Sequence, residues 1–331
     1  MLSHDQLVTS ATAAGFPAES YERVHALVRL LQGLRAHPFT KDRVALKGGT
    51  ALNLFVFDLP RLSVDIDLNY ISAADVGTMR ADRPQLERAV EQICGRLGFT
   101  VKKRPTEWAG GKWILNYERA DKHKGNLELD IVYTLRTPLW PATPRDSRPI
   151  GGATAGIIVV DDHELAAGKL AAAVARSASR DVFDARELLK DDAMLDTTKL
   201  RLGFVLYGSW NKVDWLSVTP DSVTTTSKDV LEQLAPLLRA DIRPDAKSVA
   251  AWTTALLDET RALMRRVLPL GDDEREFIKR VNTTGDIAPE LLTTDAVLQD
   301  LIRGHAHLNW KVQNVKKRAA GGTMPDDDGG A

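Results

Sequence analysis

The chain carries two hydrophobic rhythms, and the change from one to the other divides it. Residues 20–36 place Val24, Leu27, Val28, Leu31 and Leu34 three and four positions apart, the spacing of one helical face. Residues 43–47 form a short apolar run, a strand or a helix end, that leads into Gly48 and Gly49. Residues 50–57 read as a short buried helix, and Pro60 ends it. Residues 63–70 then alternate strictly. Val64, Ile66, Leu68 and Tyr70 fall on one side, and Ser63, Asp65, Asp67 and Asn69 on the other, which predicts a strand with one buried face. Further β-like runs cover 98–103, 112–118 and 125–133. Residues 137–152 hold four prolines and read as an irregular crossing loop, and 155–160 as a last short strand.

Beyond Val160 the period becomes helical. The pattern predicts helices over 163–176, 181–190, 228–240, 247–268, 273–281 and 294–303. Asp161 or Asp162 is placed to cap the first of these, with Glu164 positioned to close a capping box on Asp161. Trp210, Trp215, Trp252 and Trp310 are expected as core or interface anchors. Residues 319–331 are polar and glycine-rich, the composition of a disordered tail. The reading is therefore an α/β part over 1–160, a helical part over 161–318 and a tail over 319–331.

Composition narrows the function classes. With 44% apolar and 27% charged residues, global disorder is excluded. The net charge of −1 excludes a uniformly basic nucleic-acid coat and leaves local runs, Lys102-Lys103-Arg104 and Lys316-Lys317-Arg318, which are usually solvated faces. The single Cys94 excludes an intrachain disulfide framework and a cysteine-cluster metal site. His163, His305 and His307 have no zinc-ligand spacing. No run of 18 apolar residues occurs, and the N-terminus lacks a basic region followed by an apolar stretch. A cytoplasmic protein with no membrane partner is expected.

The chemistry concentrates in Asp65-Ile66-Asp67. Residues two apart on a strand share a face, so both carboxylates point one way. They repel each other unless a cation lies between them, and oxygen-only ligands suit Mg²⁺ or Mn²⁺. In the run from Asn126 to Ile131, Glu128 and Asp130 likewise share the polar face. If that strand pairs beside 63–70, Asp130 completes a three-carboxylate cluster able to hold two metal ions on a nucleoside triphosphate and an attacking hydroxyl. Upstream, Lys47-Gly48-Gly49-Thr50 lets the backbone approach a phosphate, with a helix start aiming free N–H groups at it. The eight-residue Walker spacing is absent. Lys47 and Arg61 flank these features, as phosphate contacts or as ordinary ion-pair partners.

The order of these pieces resembles the nucleotidyltransferase superfamily that includes DNA polymerase beta, although the 15 residues between Gly49 and Asp65 exceed its usual spacing. A narrower match follows from four blocks. Leu46-Lys47-Gly48-Gly49-Thr50-Ala51-Leu52 and Arg61-Leu62-Ser63-Val64-Asp65-Ile66-Asp67-Leu68 closely resemble the AbiEii/MenT family of bacterial toxins. The run from Glu164 to Leu170, carrying Lys169, resembles its helical lysine motif, and Arg180-Asp181-Val182-Phe183-Asp184 its Arg-Asp motif.

The resemblance implies an α+β fold: a polymerase-beta-like domain with a mixed or antiparallel sheet, followed by a mostly helical domain. It implies the toxin of a toxin–antitoxin pair, associated with phage defence, with a cognate antitoxin protein as partner. The implied reaction is metal-dependent transfer of a nucleoside monophosphate from an NTP to an acceptor hydroxyl, first of all the 3′ end of tRNA, blocking aminoacylation. Transfer to a protein or small molecule, and non-enzymatic NTP binding, are the competing readings. Asp65, Asp67 and Asp130 would hold Mg²⁺ or Mn²⁺. Lys47, Gly48, Gly49, Thr50, Arg61 and Ser63 would bind the nucleotide. Lys169 would meet its phosphates, and Asp181, or in its place Asp184, would serve the site.

Overall fold

The structure is a computed structural model and describes residues 2–104, 110–191 and 195–320. It divides into two compact units. The first comprises Met1–Arg136, Pro141–Val160 and Leu234–Arg243; the second comprises Thr137–Trp140, Asp161–Gln233 and Pro244–Ala331.

The first unit is built on a seven-stranded mixed sheet. Its strands are β1 (Val44–Lys47), β2 (Asp65–Tyr70), β3 (Thr100–Lys103), β4 (Gly110–Glu118), β5 (Lys124–Val132), β6 (Thr143–Asp146) and β7 (Gly156–Val159), in the spatial order β3-β4-β5-β2-β1-β7-β6. β2 is central, antiparallel to β1 and parallel to β5. One face of the sheet is fully buried: Ile66, Leu68, Trp113, Leu115, Leu127, Leu129 and Ile131 are all at most 1% exposed. The helix Ala18–Ala36 packs on β5 and β7 and against a second helix, Val76–Arg96. A Cβ on Gly33 would lie 2.6 Å from Ile93 Cγ2, so the two helices touch where the side chain is missing. Each buried aliphatic side chain on this face contributes about 1.5–3 kcal/mol.

Two parts of this unit depart from the sequence pattern. The helix Val76–Arg96 is absent from the pattern read above, because its polar run and internal Pro84 mask the period. The proline-rich stretch holds the edge strand β6, which pairs with β7 through Pro144 opposite Ile158. An edge strand tolerates the missing N–H. Arg61 bridges Leu238, and Leu62 N–H donates to the Leu237 carbonyl, so residues 234–243 belong with the sheet rather than with the helical half.

The second unit is helical. Its principal helices are Asp162–Arg176, Ser179–Lys190, Thr197–Ser209, Val249–Leu263, Asp272–Thr283, Ala296–Gly304 and Ala306–Ala319. Residues 228–240, expected as one helix, are instead short turns over Ser227–Asp229, Val230–Leu234 and Ala235–Leu237, because Pro236 removes a backbone donor. Trp215 is 1% exposed against Phe204, and Trp252 stacks on Phe183. Asp161 caps the first helix by accepting from His163 N–H. Glu164 does not close a capping box. It is buried and accepts from the Leu139 and Trp140 N–H groups, with the Tyr207 hydroxyl on its other oxygen. Burial pushes its carboxyl up to about 7.

The tail expected over 319–331 falls, from 321 onward, outside the described residues; Ala319 ends the last helix. Among the described residues no helix is long and apolar enough to cross a membrane.

Candidate active site

β1 ends at Lys47, and the chain turns directly into a helix beginning Gly48–Ala51 that widens over Leu52–Val56. Gly48 has φ +73°, a conformation that favours glycine. It also lies against β2: a Cβ there would fall 2.3 Å from Asp67 Oδ2. The Thr50 hydroxyl, expected to donate to a phosphate, is fully buried and donates to the Asp65 carbonyl. Thr50 thereby ties the turn to the acidic strand. Asn53 Nδ2 donates to the Gly49 carbonyl at 2.9 Å and holds the turn from its far side.

The sheet register assembles the charged face. Lys47 stands opposite Asp67, Asp67 opposite Asp130, and Asp130 opposite Lys112, so one row across four strands reads cation, anion, anion, cation. In the neighbouring row Asp65 stands opposite Glu128. Side chains opposite each other on paired strands point the same way. Asp65, Asp67, Glu128 and Asp130 are half-buried, while the residues between them are buried on the other face. Asp130, 63 positions from Asp67 in sequence, thus becomes its direct neighbour.

The Asp130 carboxyl is pushed above its ordinary range, first by burial and then by the charge of Asp67; Lys47, Lys112 and the Gly111 N–H act in the opposite sense. Lys112 Nζ reaches diagonally to Glu128 Oε2 at 2.6 Å. That bond, with the charges of Asp65 and Asp130 behind it, holds the ammonium above its usual range. Asn69, next along this face, is 3% exposed, and its Oδ1 has no hydrogen-bond partner among the described residues.

These groups suit a hard divalent cation: carboxylate oxygens on one face, with the charge of Asp67 helping to hold the Asp130 carboxyl above its ordinary range, and a buried amide oxygen beside them. Among the described residues no group of three or more His, Cys, Asp or Glu side chains is placed to hold a metal ion, so Asp65, Asp67 and Asp130 do not form the expected three-carboxylate cage. Mg²⁺ does not need one, since it binds through one or two carboxylates and completes its shell with water and substrate phosphates.

Other expected residues lie deeper or elsewhere. Arg61 is 2% exposed and donates to the Leu62 carbonyl; Ser63 is also buried. Lys169, Asp181 and Asp184 belong to the second unit and form one buried ionic cluster. Lys169 Nζ lies 2.7 Å from Asp181 Oδ1 and 3.1 Å from Asp184 Oδ2, with Arg176 at 3.3 Å on the other Asp181 oxygen. The lysine motif and the Arg-Asp motif therefore meet each other, joining the helices Asp162–Arg176 and Ser179–Lys190. His163 is held through both nitrogens: Nε2 accepts from Asp196 N–H, so Nδ1 carries the proton that Asp161 receives. Lys102 and Lys103 are exposed on the edge strand β3, and Lys316, Lys317 and Arg318 close the last helix.

Sequence reasoning did not single out Lys112. The signal was present in the spacing of the two runs 112–118 and 125–133: pairing them as a hairpin sets Lys112 beside the acids of the second.

A glycine turn laid against the acidic row of a mixed sheet defines a nucleotidyltransferase domain, and the comparisons with known proteins agree. The model of the family described as "Nucleotidyl transferase AbiEii toxin, Type IV TA system" matches residues 29–273. The chain belongs to this family. Among solved structures it is similar to MenT4, a nucleotidyltransferase toxin from Mycobacterium tuberculosis H37Rv. The TM-score is 0.58 and the identity 17%, over 95% of this chain and 99% of that one. At that identity the likeness is one of fold. A chain of the E. coli MS115-1 CdnC:HORMA-deltaN complex aligns over 92% of this chain and 98% of its own at 15% identity, with a TM-score of 0.25 that carries no argument. No curated protein matches the sequence.

Proposed function

We propose that this toxin-family protein transfers a nucleoside monophosphate from an NTP to the terminal hydroxyl of an RNA, with the 3′ end of tRNA as the acceptor. The observation that carries the reading is the direct pairing of Asp67 with Asp130 beside the Gly48 turn. Asp65, Asp67 and Asp130 would hold Mg²⁺ or Mn²⁺, which supplies charge neutralisation on the triphosphate when bound. The Gly48-Gly49 backbone and Lys47 face the phosphates, and Thr50, Arg61 and Ser63 position the two elements that carry them. Asp130 suits the acceptor side. There it would help hold the metal ion that lowers the pKa of the attacking hydroxyl, whose proton passes to solvent. In-line displacement at the α-phosphorus then forms the new P–O bond and breaks the bond to pyrophosphate. Little covalent work falls to the protein, so positioning dominates.

Lys169 and Asp181 enter this reading as a pair with Asp184: the cluster fixes the two helices that carry the family's later motifs, and Lys169 meets phosphate only by yielding a carboxylate partner. Family membership also supports an antitoxin as partner.

The test is sequencing of RNA 3′ ends after incubation of total RNA with each NTP and Mg²⁺, comparing wild type with Asp67→Ala. Extension of tRNA ends by wild type alone supports the reading. Label from NTP found only in protein or in small molecules overturns the RNA acceptor, and Asp67→Ala retaining full activity overturns the site.

A further inference from the structure

Lys112 occupies a place that the reaction as proposed does not use. It stands in register with Asp130, is bonded to Glu128 at 2.6 Å, and is drawn by the charges of Asp65 and Asp130. Lys47, at the other end of the row, makes no ion pair among the described residues. The two lysines are therefore not equivalent: one lies opposite Asp67 without closing on it, and the other is already bonded into the acidic face.

We propose that Lys112 is a resident counter-ion of the acidic row, holding Glu128 and screening Asp130 until a divalent cation displaces its influence. Four carboxylates, Asp65, Asp67, Glu128 and Asp130, share two neighbouring register rows and crowd like charge onto one face, with Lys47 and Lys112 at the two ends of one row. A cation on a flexible stem lowers that repulsion without filling the site. Its bond to Glu128 is half-exposed and therefore weak enough to break. Lys112 would compete electrostatically with a divalent cation for the acidic face. Lys112 is a positioning residue in this account. The inference rests on the proposed metal-holding role of Asp67 and Asp130.

The experiment titrates Mn²⁺ into metal-stripped full-length protein without nucleotide, reading free Mn²⁺ by electron paramagnetic resonance. The chains compared are wild type, Lys112→Met, Lys112→Arg, Asp67→Asn and the double variant Asp67→Asn/Lys112→Met. Lys112→Met is expected to bind Mn²⁺ about three- to tenfold more tightly, the size of one unit charge near a divalent ion at a partly solvated site. High salt should shrink that gain. Lys112→Arg should stay within about twofold of wild type, because it keeps the charge. As a second readout, the rise in melting temperature on adding Mg²⁺ should be larger for Lys112→Met. Lys112→Gln serves the same comparison should the methionine variant fold poorly. Unchanged or weaker Mn²⁺ binding by Lys112→Met, with wild-type binding still abolished by Asp67→Asn, overturns the role of Lys112 and leaves the site reading intact. Wild-type Mn²⁺ binding that ignores Asp67→Asn overturns the site reading and this inference together.

Discussion

Gly48 and Asp67 fit against each other so closely that the glycine's missing Cβ would stand 2.3 Å from the aspartate's Oδ2. The glycine turn and the acidic strand are therefore one device. The φ of +73° at Gly48 sets the direction of the turn, and the absence of a side chain leaves room for the carboxylate.

Gly48→Ala is expected to lose activity by about 100-fold or more, since it must displace Asp67. The positive φ adds about 1–3 kcal/mol of destabilisation. Nucleotide-transfer assays beside urea denaturation check both. Wild-type activity with an alanine at 48 would show that Asp67 is not where the chemistry occurs.

Asp130 offers a test that needs no substrate. Asp67 raises its carboxyl and Lys47 lowers it. In metal-free protein, Asp67→Asn should move the Asp130 titration toward lower pH, and Lys47→Met should move it higher. Neither change should abolish the elevation, because burial is its larger cause. Carbon NMR titration of the Asp130 carboxyl reads the direction.

The buried cluster in the second unit should reveal itself as stability. Asp184 is fully buried against Lys169. Removing one partner of a buried ion pair typically costs 3–5 kcal/mol, so Asp184→Ala is expected to lose about that much. Asp65→Ala, at a half-exposed position, should lose far less. A normal denaturation midpoint for Asp184→Ala together with lost activity would assign the cluster to chemistry instead.

Glu164 makes stability depend on pH in an unusual direction for a carboxylate. Its folded value of about 7 lies above the ordinary range, so the folded state holds the proton more tightly than the unfolded chain. The stabilisation is complete below the unfolded carboxyl's range and is lost as pH rises through about 7. Glu164→Gln removes this titration. Between about pH 5 and pH 8 the wild type should lose up to roughly 3 kcal/mol relative to the variant in urea denaturation.

Much of the site was legible in the sequence because strand alternation is a local property. Asp65 and Asp67 on one face, with Ile66 and Leu68 on the other, follow from a period of two, as do Glu128 and Asp130. That β5 lies parallel and adjacent to β2 does not, since pairing partners 63 residues apart leave no local trace. Lys112 stands only 18 positions from Asp130 and becomes its neighbour once the runs 112–118 and 125–133 are paired as a hairpin. Glu164 looked like a capping residue because its local position fits one, while its actual partners, Leu139, Trp140 and Tyr207, come from other elements. Asp181 and Asp184 were visible as neighbours on a helix. Their pairing with Lys169 depends on how two helices pack.

The return of residues 234–243 to the sheet has a bearing on when, during synthesis, the acidic strand gains its support. The backbone just ahead of Ser63 and Asp65 is hydrogen-bonded to Leu237 and bridged to Leu238. A ribosome that has finished β5 still has about a hundred residues to add before that support exists, roughly 5–20 s of synthesis. A chain released early, by a premature stop before position 234, leaves the entry to its acidic strand unbraced. For a member of a toxin family, interrupted translation is expected to give a blunted product, which nucleotide-transfer assays on a chain ending before position 234 would check.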